Sequence, residues 1–282
     1  MTKTWTWIRE HAVLGVGILG ILYLLAPIAV IALFSFNDPV GKYNFEWVGF
    51  TTQYWQHPFA ITELTDSLWT SIKLAFLTSI GATILGTLIA IALVRYNFFG
   101  RRAANLLIVI PMATPEVVIG ASLLSMFLVY GAKLGFGTLL IAHIMFSISF
   151  VVIVVRSRLI GFDRRLEEAS ADLGAGPLST FARITLPLLA PAVGSAAMLS
   201  FALSIDDFVI SNFNSGSTVT FPLYIFGANQ RGIPVQVNVI ATMLFTVTVL
   251  AMIAVIIQQR RAEKITNVRE EDDSDPRVGI TV

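Results

Sequence analysis

Apolar residues in this chain fall in long unbroken stretches separated by short charged connections, the pattern of helices whose solvent is lipid rather than water. A helix rises ~1.5 Å per residue, so ~20 mostly apolar residues are needed to cross a hydrocarbon layer of ~30 Å. Six stretches meet that length: Ala12 to Phe34, Ser67 to Val94, Asn105 to Tyr130, Gly137 to Val155, Leu188 to Ile210 and Val235 to Ile257. The pattern predicts an all-α polytopic membrane protein with six transmembrane helices. The first stretch is longer than the apolar part of a typical secretion signal and no clear A-x-A site follows it, so it is expected to stay as a helix.

Charge sets the orientation, because Lys and Arg concentrate in cytoplasmic connections. Lys3 and Arg9 precede the first stretch, and Arg95, Arg101 and Arg102 follow the second. Arg156, Arg158, Arg164, Arg165 and Arg183 follow the fourth, and Arg260, Arg261 and Lys264 follow the sixth. The segment from Ser35 to Asp66 carries Asp38, Glu46, Glu63 and Asp66 against Lys42, and the other two outer connections offer Lys133 and Arg231. Both termini are therefore expected in the cytoplasm. Residues 1–262 read as one membrane domain with a cytoplasmic loop at 156–187. The charged end, 263–282, with Glu270, Glu271, Asp272 and Asp273 in a row, reads as a disordered tail.

Composition agrees with a lipid solvent: 55% of the 282 residues are hydrophobic and 13% charged, and the mean hydropathy is +0.77. The absence of cysteine excludes disulfide scaffolds, thiolate metal sites and cysteine nucleophiles. His11, His57 and His143 are far apart without metal-ligand spacing, so each reads as a packing or interface residue, and no metal site is expected. No repeat and no second, soluble domain is visible.

The connection from Arg156 to Pro187 is patterned like structured helix. Leu166, Ala169, Ser170 and Leu173 share one helical face, Asp163 is placed to cap, and Glu167 and Glu168 occupy the early turns. Gly174-Ala175-Gly176-Pro177 breaks that helix, and a second short one, Leu178 to Ile184, leads into the fifth stretch. Small residues at Ala169, Ser170 and Ala171 would allow close approach to a partner surface; a loop lying on the membrane is the competing reading.

The order Glu168-Ala169-Ser170, Gly174, Ile184, Leu186, Pro187 resembles the EAA motif of permeases from binding-protein-dependent ABC importers of type I, with Ser170 replacing the second alanine. The resemblance covers nearly the whole chain. It implies the type I permease fold, a coupling helix formed around Glu168, Ala169, Ser170 and Gly174, a separate dimeric ATPase that binds ATP and Mg, a second homologous permease subunit and an extracytoplasmic binding protein. The chain itself has no G-x-x-x-x-G-K-[ST] phosphate loop, so it is expected to bind no nucleotide and to be no enzyme.

Ionisable groups at membrane depth are costly, ~2.5 to 3.5 kcal/mol each at a helix centre, and tend to face a pathway or a partner. Lys73 lies near the start of its stretch and can snorkel outward. Glu116 sits at mid-depth beside Pro111 and Pro115, whose missing donors free backbone carbonyls. Asp206 and Asp207 lie in the outer part of the fifth stretch, where Ser200, Ser204, Asp207 and Ser211 recur on one helical face. The candidate pathway residues are Glu116, Asp206, Asp207, Ser204 and Phe208. Acids favour a cationic solute, and Phe208 and Phe213 offer cation–π contacts.

Ser35-Phe-Asn-Asp-Pro39, Pro111-Met-Ala-Thr-Pro-Glu116 and Ser204-Ile-Asp-Asp-Phe208 resemble spermidine/putrescine-type permeases, particularly the second of their two non-identical subunits. That implies a polyamine as cargo; another small solute is the alternative. The aromatic-rich segment from Ser35 to Asp66 would contact the binding protein or sister permease, or form an interfacial belt. A secondary cation transporter would use Glu116 and Asp207 as a relay, and a membrane enzyme would need a convergent catalytic set; neither accounts for the coupling-loop spacing.

Overall fold

The computed structural model describes residues 2–41, 43–250, 252, 253 and 257, and side chains from residue 11 onward. Its end of the sixth stretch is thus incomplete, and the expected tail at 263–282 lies outside the described residues. Among the described residues there are helices and one isolated bridge, Asn37 to Phe50, but no strand. The chain divides into two compact units, Met1–Ile61 with Arg231–Val282, and Thr62–Gln230.

In the first unit, α1 (Thr2–Phe34) is apolar on every face, and Leu14, Val16, Leu19 and Leu24 are largely exposed, as a bilayer solvent requires. The segment after it is folded around the fully buried Asn37. Its amide donates to Asn44 Oδ1 and to the Glu46 carbonyl, each at 2.7 Å, and its oxygen accepts the Val48 N–H at 2.8 Å. One side chain thereby satisfies backbone that no ladder serves. Phe36 is stacked between Phe50 and Trp55, and Trp55 Nε1 donates to Ser35 Oγ at 3.2 Å. The short helix α2 (Gln53–Gln56) carries that tryptophan. In the same unit α12 (Val235–Leu250) covers the described part of the sixth stretch.

The second unit is built on α3 (Thr62–Arg95), α6 (Phe136–Ile160) and α9 (Leu186–Ile205). Ser71, Ala75, Ser79, Ala82, Gly86 and Ala90 form a buried small-residue face on α3, so its backbone approaches α6 and α9 closely. A Cβ added at Gly86 would fall 2.6 Å from Val151 Cγ1, so a larger residue would have to displace α6 or its valine. Ser79 Oγ donates across the α3–α9 seam to the Ala197 carbonyl at 2.7 Å. Ala90, Leu93, Val151, Val155, Leu159 and Leu189 close the core at the coupling-loop end.

Two predicted stretches are not single helices. The third is α4 (Arg101–Ala113) and α5 (Glu116–Val129), bent by 113° at Thr114 and Pro115. Pro115 forces Thr114 into an extended conformation, ψ 135°, and cannot donate to the ladder. The fifth ends at Ile205, and after Asp206 to Phe208 a separate helix, α10 (Val209–Asn214), begins. A further helix, α11 (Phe221–Arg231), lies in what the sequence pattern left as a connection. Counted by length and apolarity among the described residues, four helices can cross a membrane, or five if the bent pair is one span, with α12 shorter.

Candidate functional site

The connection between α6 and α9 folds as a helix, a glycine turn and a second helix. In α7 (Arg165–Asp172), Asp163 Oδ1 accepts the Arg165 N–H at 3.0 Å and supplies the capping chemistry. The helix ends in a Schellman turn: the Ala175 N–H returns to the Ser170 carbonyl at 3.1 Å and the Gly174 N–H to the Ala171 carbonyl at 2.9 Å. That closure needs a left-handed residue, and Gly174 has φ +81°. Pro177 then opens α8 (Pro177–Thr180), which passes through a π turn at Phe181–Thr185 straight into α9. The second short helix is therefore the start of the fifth span and not a separate piece.

Side chains fix how this element sits. Ser170, which the sequence placed on the outward face with Leu166 and Ala169, is buried, its hydroxyl 3.0 Å from that of Thr180, and it pins α7 to α8. Glu168, Ala169, Leu166, Leu173 and Leu178 are exposed, with Leu173 90% accessible. Glu167 turns inward instead. Its Oε1 accepts Arg95 Nη2 at 3.1 Å, from the end of α3, and Thr185 Oγ1 at 2.8 Å, from the π turn. Arg95 also lies over the Phe162 ring, 5.2 Å from its centroid. The α7 segment is thus latched to two long helices by a largely desolvated ion pair, where loss of one partner would strand the other.

A second constellation surrounds the α9–α10 break. Asp207 is 8% exposed and its carboxylate is fully engaged: Oδ1 accepts the Ile210 N–H at 3.2 Å, and Oδ2 accepts the Ser211 N–H at 2.9 Å and its hydroxyl at 3.2 Å. His143, buried on α6, reaches both sides of the break. Its Nδ1 is 2.8 Å from Ser204 Oγ on α9, and its Nε2 is 3.1 Å from Ser211 Oγ and 3.3 Å from Asp207 Oδ2. With Ser211 donating to Asp207, the hydrogen-bond pattern places a ring proton on Nε2.

Glu116 and Asp206 are the exposed acids here. Glu116 opens α5, where the helix dipole favours an anion, and it is within electrostatic range of both Asp207 and Asp206. The helices that follow the two breaks, α5 and α10, are packed together: a Cβ at Gly120 would fall 2.8 Å from Phe213 Cδ2, and Asn214 Nδ2 donates to the Gly120 carbonyl at 3.2 Å. The Phe208 ring packs at a tilt against Phe226 of α11, with centroids 4.8 Å apart. Among the described residues no group of three or more His, Asp or Glu side chains is arranged to hold a metal.

Residues 82–264, which hold both constellations, match the model of the family described as binding-protein-dependent transport system inner membrane component. The chain belongs to that family. Its similar relatives include the Haemophilus influenzae spermidine/putrescine transport system permease protein PotC, 40% identical over 84% of this chain and 91% of the relative. The Escherichia coli putrescine transport system permease protein PotI is 34% identical over 80% of this chain and 83% of its own. Among solved structures, a bacterial ABC transporter involved in the import of alginate aligns with TM-score 0.64 at 17% identity, over 89% of this chain and 96% of that one. An amino acid ABC transporter aligns with TM-score 0.54, also at 17% identity, over 76% and 99%. The fold is therefore that of an ABC importer permease, and the chain is a non-catalytic inner-membrane transport subunit.

For this permease the sequence-derived residues fall into distinct groups. Glu168 and Ala169 are accessible on α7, Gly174 shapes the turn that ends it, and Ser170 is buried against α8. Glu116 and Asp206 are accessible, whereas Asp207 and Ser204 are buried and satisfied inside the subunit, and so line no open surface in this conformation. The serine and aspartate stripe was read along one continuous helix; in fact the helix stops, and His143 gathers Ser204, Asp207 and Ser211 across the stop. Sequence reasoning missed His143, Arg95, Glu167 and Thr185. Their partners lie 61 or more residues away for His143 and 72 for Arg95, so no local spacing records them.

Proposed function

We propose that this permease is one of two homologous membrane subunits of an ATP-driven importer of small organic cations, of the polyamine class. It has six spans with both termini in the cytoplasm. Its partners are a dimeric ATPase, which alone binds ATP and Mg, and an extracytoplasmic binding protein. The observation that carries the cationic cargo is the accessible pair Glu116 and Asp206 at two adjoining helix breaks. The breaks put the acids at helix ends, where water and an ammonium group can reach them, and leave Asp207 as the buried group that caps the start of α10. Names borne by the similar permeases, spermidine and putrescine systems, agree with that charge. The exposed face of α7, with Glu168, Ala169 and Leu173, is the part that seats in the ATPase, while the Arg95–Glu167–Thr185 latch carries its movement to α3 and α9.

The test is uptake of labelled spermidine by proteoliposomes holding the whole transporter. Asp206→Asn and Glu116→Gln are expected to lower uptake about tenfold or more, equivalent to ~1.4 kcal/mol, with basal ATP hydrolysis retained. Unchanged uptake by both variants, or competition by a neutral solute in place of polyamines, would overturn the cationic assignment.

A further inference from the structure

Four arginines converge where α3 and α6 end and α4 begins, one of them, Arg95, shared with the Glu167 latch. Arg95, Arg101, Arg156 and Arg164 surround an open cavity of about 320 Å³ whose walls include the apolar Leu159 and Phe162. Three of these guanidiniums are held in place by neighbours. Arg101 Nε donates to the Leu93 carbonyl at 2.8 Å and its Nη1 to Asn97 Oδ1 at 2.6 Å. Arg156 Nη1 donates to Asn105 Oδ1 at 2.7 Å, and Asn105 Nδ2 in turn donates to the Arg101 carbonyl at 3.0 Å. Arg95 is fixed by Glu167 and Phe162, yet its buried Nε has no partner among the described residues. No acid lines the cavity, and of the four arginines Arg95 alone has a carboxylate partner among the described residues. Preordered forks of like charge around an apolar floor are complementary to a tetrahedral anion attached to something greasy.

The neighbouring loop places this cavity at a membrane surface. Tyr96, Phe98 and Phe99 are 65%, 45% and 107% exposed, directly after the last turn of an apolar span. Aromatic rings so exposed are at home among lipid headgroups, and α4 starts just beyond them at Arg101. A protein partner would more readily choose the exposed leucines of α7, which point to a different surface chemistry. We infer that the cavity binds the phosphate of an anionic phospholipid headgroup, with the Tyr96–Gly100 loop seated beside it in the interface.

The test uses the whole transporter in nanodiscs of phosphatidylcholine with graded phosphatidylglycerol, reading retained lipid by native mass spectrometry. Phosphatidylglycerol is expected to be retained over phosphatidylcholine. Each lining arginine near an anionic headgroup contributes ~1 kcal/mol, so Arg156→Gln should weaken retention about fivefold and Arg101→Gln with Arg156→Gln more. Gln at 156 can still reach Asn105, which protects the fold, and Arg156→Lys, keeping the charge but not the fork, should fall between. Arg158→Gln, exposed and outside the cavity, should retain lipid as the unchanged protein does. Equal loss in Arg158→Gln would mean a diffuse surface charge and overturn the site. Displacement of the lipid by millimolar inorganic phosphate would reassign it to a soluble anion, and exclusion of the lipid on adding the ATPase would reassign it to a protein contact; either overturns the inference.

Discussion

His143 is engaged at both ring nitrogens in a space closed to water, and that makes it the residue on which the α9–α10 break depends. Replacing it by alanine removes a donor from the Asp207–Ser211 pair and opens a void, with an expected loss of ~2–4 kcal/mol. Asn can mimic Nδ1 and keep the Ser204 link, whereas Gln can mimic Nε2 and keep the Asp207 and Ser211 links. Thermal unfolding of the purified protein should therefore rank His143→Gln above His143→Asn, with His143→Ala lowest. An equal fall for all three would show that shape alone matters there. The acids and serines of this cluster were legible from cost and periodicity, because charge at membrane depth is conspicuous in any sequence. The histidine was not, since a single imidazole among apolar residues looks the same whether it merely packs or bridges two helices.

At the scale of elements, α7 and its turn were the most legible feature. Local chemistry defines them: Asp163 caps, Gly174 closes the Schellman turn and Pro177 restarts the helix within a few residues of chain. Gly174→Val forces a β-branched residue to φ +81°, at ~1–2 kcal/mol or more. Spermidine uptake by the assembled transporter is expected to fall while basal ATP hydrolysis and membrane insertion persist. Gly174→Asn, which tolerates the left-handed region, should retain most uptake. Normal uptake in the valine variant would show that the turn does not transmit movement. The breaks at Pro115 and at Asp206 were half legible: proline announces the first, but the second has no breaker in the sequence and is stabilised by Asp207 accepting N–H groups at the start of α10.

For the whole molecule, orientation was argued from the placement of arginines, and the absence of native cysteine makes that argument directly testable. A single cysteine at exposed Leu173 should react with a membrane-impermeant maleimide only from the cytoplasmic side. One at exposed Tyr43 should react only from outside. Labelling of both from the same side would reverse or break the proposed topology. What the chain determines by itself is the solvent, the helical class, the charge asymmetry and the glycine turn after α7, because each follows from composition or from neighbours a few residues apart. Which helices bend, which acids remain accessible, and which glutamate of the coupling helix points inward were decided only by packing. A buried hydrogen bond or ion pair joins residues that helix-on-helix contact brings together from distant parts of the chain. Burial is also what forces such groups to find partners. Glu167 and Glu168 are adjacent in sequence and alike in chemistry, and only the position of Arg95 at the end of α3 separates the latch from the exposed contact.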